Sequence, residues 1–208
     1  MRRTKAINYI RLMENNPNPE VARAGLELEE LYFKWKKSLD VRDLVDFVEA
    51  IEEKYAWALK EGLGRMPQSI GQFRAYALEE YIYDITSQVL GDDYRILWNE
   101  KIPVWEEEFE YSIAQDLAVL DHEGKLKAVV EAKVEVDAQR LKAVLMNFSL
   151  LKISRKPFCA IVYIRWNADE KLKFLARRIC VDEIFDFNRN LSEVERYKKW
   201  ISRVSTTL

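Results

Sequence analysis

Residues 125–136 read KLKAVVEAKVEV. The stretch alternates with period two, as a β-strand with two distinct faces does. Leu126, Ala128, Val130, Ala132, Val134 and Val136 take one face, and all are apolar. Lys127, Val129, Glu131, Lys133 and Glu135 take the other. Glu131 and Lys133 therefore project side by side from a strand expected at the centre of a sheet. Just upstream, YSIAQDLAVLD (111–121) has the same period, and the tight turn HEGK (122–125) joins the two into a hairpin. Asp116 lies midway along that strand, between Ala114 and Ala118 on its face. A hairpin turning at 121–125 brings Asp116 into the neighbourhood of Glu131.

Outward from this hairpin, RILWNEKIPVW (95–105) reads as a preceding strand. A helix follows over 138–152 with Leu141, Val144, Leu145 and Phe148 facing inward, and Pro157 stops it. PFCAIVYIRW (157–166) is nearly continuous apolar sequence, as in a strand covered on both faces. The tail is read as helical, with Ser192-Glu-Val-Glu195 as a capping box. Upstream, Ser69-Ile-Gly-Gln72 is read as another capping box that opens a helix through RAYALEEYIYDITSQVL. Leu78, Ile82, Ile85 and Val89 form its stripe, and Gly91 ends it as a left-handed cap. The first 65 residues read as helices: one opening at NPNPE, one capped by Asp40 with Leu44, Val48, Ile51 and Tyr55 inward, then a break at GLGRMP. The expectation is an α/β protein with a small mixed sheet flanked by helices. An N-terminal helical region (1–68) would pack on a core (69–208) that ends in helices.

Composition narrows the function. The chain has 208 residues, 33 Lys+Arg, 35 Asp+Glu and one His, for a net charge of −2. At 49% hydrophobic and 33% charged it has the make-up of a soluble globular domain. No apolar run approaches the ~20 residues of a membrane span. The opening MRRTKAINYIRLMENN turns polar too soon for a signal peptide, so a cytoplasmic protein is expected. Cys159 and Cys180 sit in apolar surroundings and read as buried thiols. His122 has neither a partner His nor a nearby Cys, which argues against zinc and His-based catalysis. Neither GxxxxGK[ST] nor GxGxxG occurs, so nothing suggests a phosphate-cradling loop.

Two carboxylates and an ammonium on adjacent strands suit phosphodiester hydrolysis. Hard cations such as Mg²⁺ take oxygen ligands and keep several waters, so two carboxylates suffice as a minimum. A bound cation lowers the pKa of its water and screens phosphate charge. A lysine two residues on can orient the water or stabilise the charge that develops. The alternative is that this face is solvated and that Glu131 and Lys133 merely decorate it.

Asp116 followed by Glu131-Ala132-Lys133 on the next strand resembles the PD-(D/E)XK nuclease superfamily, the restriction-endonuclease-like fold. The resemblance covers roughly residues 70–166, from the glutamate-bearing helix to the apolar strand. It implies Asp116 and Glu131 as metal ligands, the Ala132 carbonyl as another, and Lys133 as the catalytic lysine. Gln115 stands where the motif has Pro, a position that varies in the superfamily. The D/E-x-K triplet alone says little, because Glu52–Lys54, Glu123–Lys125 and Asp169–Lys171 also fit it. Only Glu131–Lys133 combines an alternating strand, a strand-borne Asp before it and a glutamate helix upstream.

The family often adds a helix glutamate, and Glu79 and Glu80 both qualify. At 100° per residue Glu79 lies about 90° from the centre of the stripe, whereas Glu80 lies almost opposite it, toward solvent. Glu79 is the choice. The resemblance implies a Mg²⁺-dependent endonuclease, with Mn²⁺ able to substitute, acting on double-stranded DNA as a homodimer. A type II restriction endonuclease is the first reading. A repair or junction-resolving nuclease is the second, and a non-catalytic binding module on the same fold is the third. Arg140 and Lys142, just after the motif, are candidate DNA contacts. The acidic run Glu106–Glu108 reads as a solvated hairpin tip, and the aromatics read as core packing.

Overall fold

In a computed structural model the described residues are 5–58, 66–105 and 111–206. Most of the GLGRMP break and the acidic run Glu106–Glu108 lie outside them. The chain forms two compact units. One comprises the residues up to Tyr81 with Asn188–Leu191; the other comprises Ile82–Phe187 and the residues from Ser192 on.

The first unit is helical. It contains α1 (Ala6–Glu14), α2 (Pro19–Ser38), α3 (Val41–Glu49) and the opening half of α4 (Met66–Leu90). Asn18 caps α2 by accepting the Glu20 N–H at 3.0 Å, and Asp40 caps α3 by accepting the Arg42 N–H at 2.8 Å. Beyond α3 the helix widens to π geometry over Ala50–Lys54. The α1 and α2 backbones meet closely at Gly25, where a Cβ would lie 2.8 Å from the Glu14 nitrogen. An aromatic core fills the unit: Tyr32 and Trp35 meet edge to face at 5.2 Å, as do Trp35 and Tyr81 at 6.1 Å and Phe47 and Phe73 at 5.6 Å.

The second unit is built on a five-stranded mixed sheet in the order β1-β2-β3-β4-β5. β1 (Arg95–Trp105), β2 (Tyr111–Leu120) and β3 (Leu126–Val136) form an antiparallel meander. β4 (Phe158–Trp166) and β5 (Glu183–Asp186) then add in parallel, so β3 lies at the centre. α5 (Ala138–Ser154) links β3 to β4, α6 (Lys171–Ile179) links β4 to β5, and α7 (Leu191–Thr206) follows. The β2–β3 turn closes on Gly124 at φ +79°, while the Asp121 carboxylate accepts the Glu123 and Lys125 N–H groups at 3.0 and 2.9 Å. Leu141, Val144 and Phe148 of α5 join Leu97, Val129 and Ile161 of the sheet in one apolar cluster. The α/β sheet flanked by helices is as expected. Among the described residues no helix is long and apolar enough to cross a membrane.

Four local expectations are corrected. α4 starts at Met66, so Ser69 lies inside the helix rather than at its cap. α7 starts at Leu191, so Ser192 is its second residue and not its cap. The tail is not all helix: Glu183–Asp186 adds a fifth strand beside β4. Strict alternation also fails. β3 is buried on both faces from Leu126 to Ala132, and in β2 Ala114 is exposed while Leu117, Ala118 and Val119 are buried in succession. A central strand with neighbours on both sides and cover on both faces has no solvated side to alternate with.

Candidate active site

Asp116, Glu131 and Lys133 converge where β2 and β3 separate. The ladder between the strands runs from Leu120–Leu126 to Leu117–Val130. One residue further along β2, the Asp116 carboxylate takes over and accepts the Ala132 N–H at 2.9 Å. Lys133 Nζ donates to the same Asp116 oxygen at 3.0 Å and to the Ala132 carbonyl at 3.2 Å. It also pairs with Glu131 Oε1 at 2.7 Å. One ammonium thus holds two carboxylates and a backbone carbonyl together. On the far side of β3, Glu131 and Lys133 are in register with Ile161 and Tyr163 of β4, which closes that flank with apolar and aromatic bulk.

Glu131 is 8% exposed, and its Oε2 is buried without a hydrogen-bond partner. Burial first, and then the charge of Asp116, push its carboxyl up to about 7 against the pull of Lys133. Burial works to lower the Lys133 pKa, but the two carboxylates outweigh it and hold the ammonium above its ordinary value. The reading of Glu131 and Lys133 as decoration of a solvated face therefore fails. A buried carboxylate oxygen with no donor is costly unless something else satisfies it.

The donor set suits a hard cation. Asp116, Glu131 and the Ala132 carbonyl offer only oxygen, and the orphaned Glu131 oxygen is an open ligand position. Among the described residues no three His, Cys, Asp or Glu side chains come together as a metal site. Two carboxylates with waters is a coordination that Mg²⁺ accepts, whereas Zn²⁺ sites are built mainly on Cys and His.

The other expected residues fall as follows. Glu79 is buried on α4 in the helical unit, at 6% exposure. Glu80 was expected in solvent, but it is 1% exposed. It accepts from Tyr32 Oη at 2.7 Å and from the Ala6 N–H at 3.3 Å, and it pairs with Lys36 at 3.1 Å. α4 is buried through Ala77, Leu78, Glu79, Glu80, Tyr81 and Ile82 in succession, so a single-stripe wheel cannot separate its faces. Glu80 is committed to holding α1 and α2. Arg140 is half exposed and pairs with Asp137 at 3.1 Å and Glu135 at 3.7 Å. Lys142 is exposed on α5. Cys159 and Cys180 are buried free thiols, as expected.

Two features escaped the sequence reading. Asn99 adopts φ +53° in the middle of β1. The rungs Trp98–Leu117 and Glu100–Gln115 flank it, which places it across from Asp116. The available signal was an Asn where the apolar start of the strand gives way to Glu100 and Lys101, because Asn tolerates the left-handed region. Gln115, in the place of the motif's Pro, is 1% exposed with its Oε1 unpartnered.

No family model and no curated protein match the chain. Solved structures do. BbvCI, a restriction endonuclease seen as its native A2B2 tetramer, is similar at TM-score 0.52 and 14% identity, covering 98% of both chains. Protein VC1899 from Vibrio cholerae is similar at TM-score 0.52 and 12% identity, covering 96% of this chain. This chain spans 57% of the VC1899 chain. At such identities the likeness shows the fold: a restriction-endonuclease-like α/β core.

Proposed function

We propose that the chain is a metal-dependent endonuclease that hydrolyses DNA phosphodiester bonds, of the type II restriction kind. One observation carries the reading: on a restriction-endonuclease-like fold, Lys133 bridges Asp116 and Glu131 at 3.0 and 2.7 Å while Glu131 Oε2 stays buried and unpartnered.

Asp116, Glu131 and the Ala132 carbonyl would hold Mg²⁺ or Mn²⁺. When bound, the cation supplies Lewis-acid polarisation of the phosphate and a lower pKa for the attacking water. The chain's own residues do the rest. The Asp116 carboxylate is fixed by the Ala132 N–H, so it is preorganised for a cation. Lys133 is held protonated by the two carboxylates, and it is placed to donate a hydrogen bond to the attacking water or to a phosphate oxygen as charge builds. Arg140 and Lys142 would meet the phosphate backbone. A homodimer would place one site on each strand of the duplex.

The test is cleavage of a mixed plasmid and phage DNA panel with Mg²⁺, Mn²⁺ or EDTA. Discrete metal-dependent bands establish a sequence-specific nuclease. A metal-dependent smear or nicking moves the reading to a repair or junction-resolving enzyme. No cleavage with DNA binding retained moves it to a binding module.

A further inference from the structure

At the β1 edge of the sheet lies a cavity of about 330 Å³. That is within the size of small-ligand sites, ~300–1,000 Å³. Four cations line it from four places in the chain: Arg95 at the start of β1, Lys101 in its middle, Lys125 in the β2–β3 turn and Arg155 just after α5. Glu100 is the one acid among the described lining residues, so those residues carry a surplus of three positive charges (four minus one). This surplus stands against a chain whose net charge is −2. The floor is different: Leu97, Ile102, Leu120 and Leu126 present apolar surface from three strands. Arg155 is oriented by its donation to the Pro103 carbonyl at 3.2 Å. A cationic rim over an apolar floor calls for a ligand with an anionic end and a flat apolar body.

We propose that this cavity binds a nucleotide, with its phosphate on the Arg95, Lys101 and Lys125 rim and its base on the leucine and isoleucine floor. Guanidinium and ammonium groups make charge-assisted hydrogen bonds to phosphate. An apolar floor gives the face of a base a surface to pack on without reading its edge. The nucleotide has two sources with one chemistry: a free nucleotide, or one unit of a nucleic-acid strand. The second rests on the nuclease reading. Leu120 is four residues from Asp116 along β2, about 13 Å at strand rise, so a strand held at Asp116 can lay a neighbouring unit here.

The experiment titrates the full chain with nucleoside monophosphates, with inorganic phosphate and with a short single-stranded oligonucleotide, all in EDTA. Lys101 and Lys125 are both exposed, so Lys101→Glu/Lys125→Glu leaves the core untouched. Lys37→Glu/Lys171→Glu, also exposed, makes the same charge change elsewhere. The proposal expects saturable nucleotide or oligonucleotide binding, weakened at least about tenfold by the rim variant. The control variant should bind like the parent. Binding of the free monophosphate identifies a free-nucleotide site, whereas binding of the oligonucleotide alone identifies a strand contact. Three results overturn the proposal: no binding of either ligand, equal weakening by rim and control variants, or inorganic phosphate binding as tightly as the nucleotides. A parent that binds through the rim but cleaves nothing keeps this site and refutes the nuclease, so the two failures are separable.

Discussion

Glu131→Gln should make the metal-free protein more stable while abolishing cleavage. Glu131 is 8% exposed, its Oε2 has no partner, and Asp116 adds a like charge that Lys133 only partly offsets. Its carboxyl is accordingly pushed from 4.5 to about 7. The sign follows from which state holds the proton. The folded pKa lies above the unfolded one, so the charge costs nothing below about pH 4.5, and the cost grows as pH rises and is complete above about 7. That interval, at ~1.4 kcal/mol per pH unit, amounts to roughly 3 kcal/mol. The amide still leaves one buried polar atom unsatisfied, which costs about 1 kcal/mol. The balance favours the variant by about 2 kcal/mol, or roughly 4–8 °C in Tm for a chain of this length. The assay is thermal unfolding in EDTA at pH 8 and again at pH 5. The advantage should be present at pH 8 and shrink sharply at pH 5, where the parent's carboxyl is protonated in the folded state. A variant less stable than the parent at pH 8, or one with the same advantage at both pH values, refutes the argument.

Further predictions follow from the same structure. Glu80→Ala strips Lys36 and Tyr32 of their shared buried partner and should cost roughly 3 kcal/mol in denaturant unfolding. Asp40→Ala removes the α3 cap and should cost about 1 kcal/mol. Hydrogen bonding to Arg42 lowers the Asp40 pKa, so its contribution is present above the ordinary carboxylate pKa and disappears as pH falls through the lowered folded value. Acid titration of parent and variant should therefore converge at low pH. Gly25→Ala puts a methyl 2.8 Å from the Glu14 nitrogen and should destabilise by about 1–3 kcal/mol, read from urea melts.

The sheet was legible where period and length agreed. β1, β2 and β3 are long enough for alternation to show, and Pro157 marks the passage from α5 to β4. Glu183–Asp186 was not legible, since four residues give no period and the strand exists by pairing with β4. Asp116, Glu131 and Lys133 were readable because their convergence follows from one hairpin. What could not be read is tertiary. Glu80 is buried because Ala6, Tyr32 and Lys36 come to it from distant sequence. Asn99 turns left-handed across from Asp116, a choice that only the rungs on both sides reveal. The cationic cavity gathers residues from 95 to 155, and no local window contains it.

The most direct test of the account is single-turnover cleavage of DNA in Mg²⁺ by the parent and by Lys133→Ala, with folding and DNA binding measured on the same samples. The account predicts a loss of at least about a hundredfold in the cleavage step, with fold and DNA affinity retained. A variant that cleaves at the parent's rate would contradict it, since Lys133 would then be only the counter-charge that holds Asp116 and Glu131 in place.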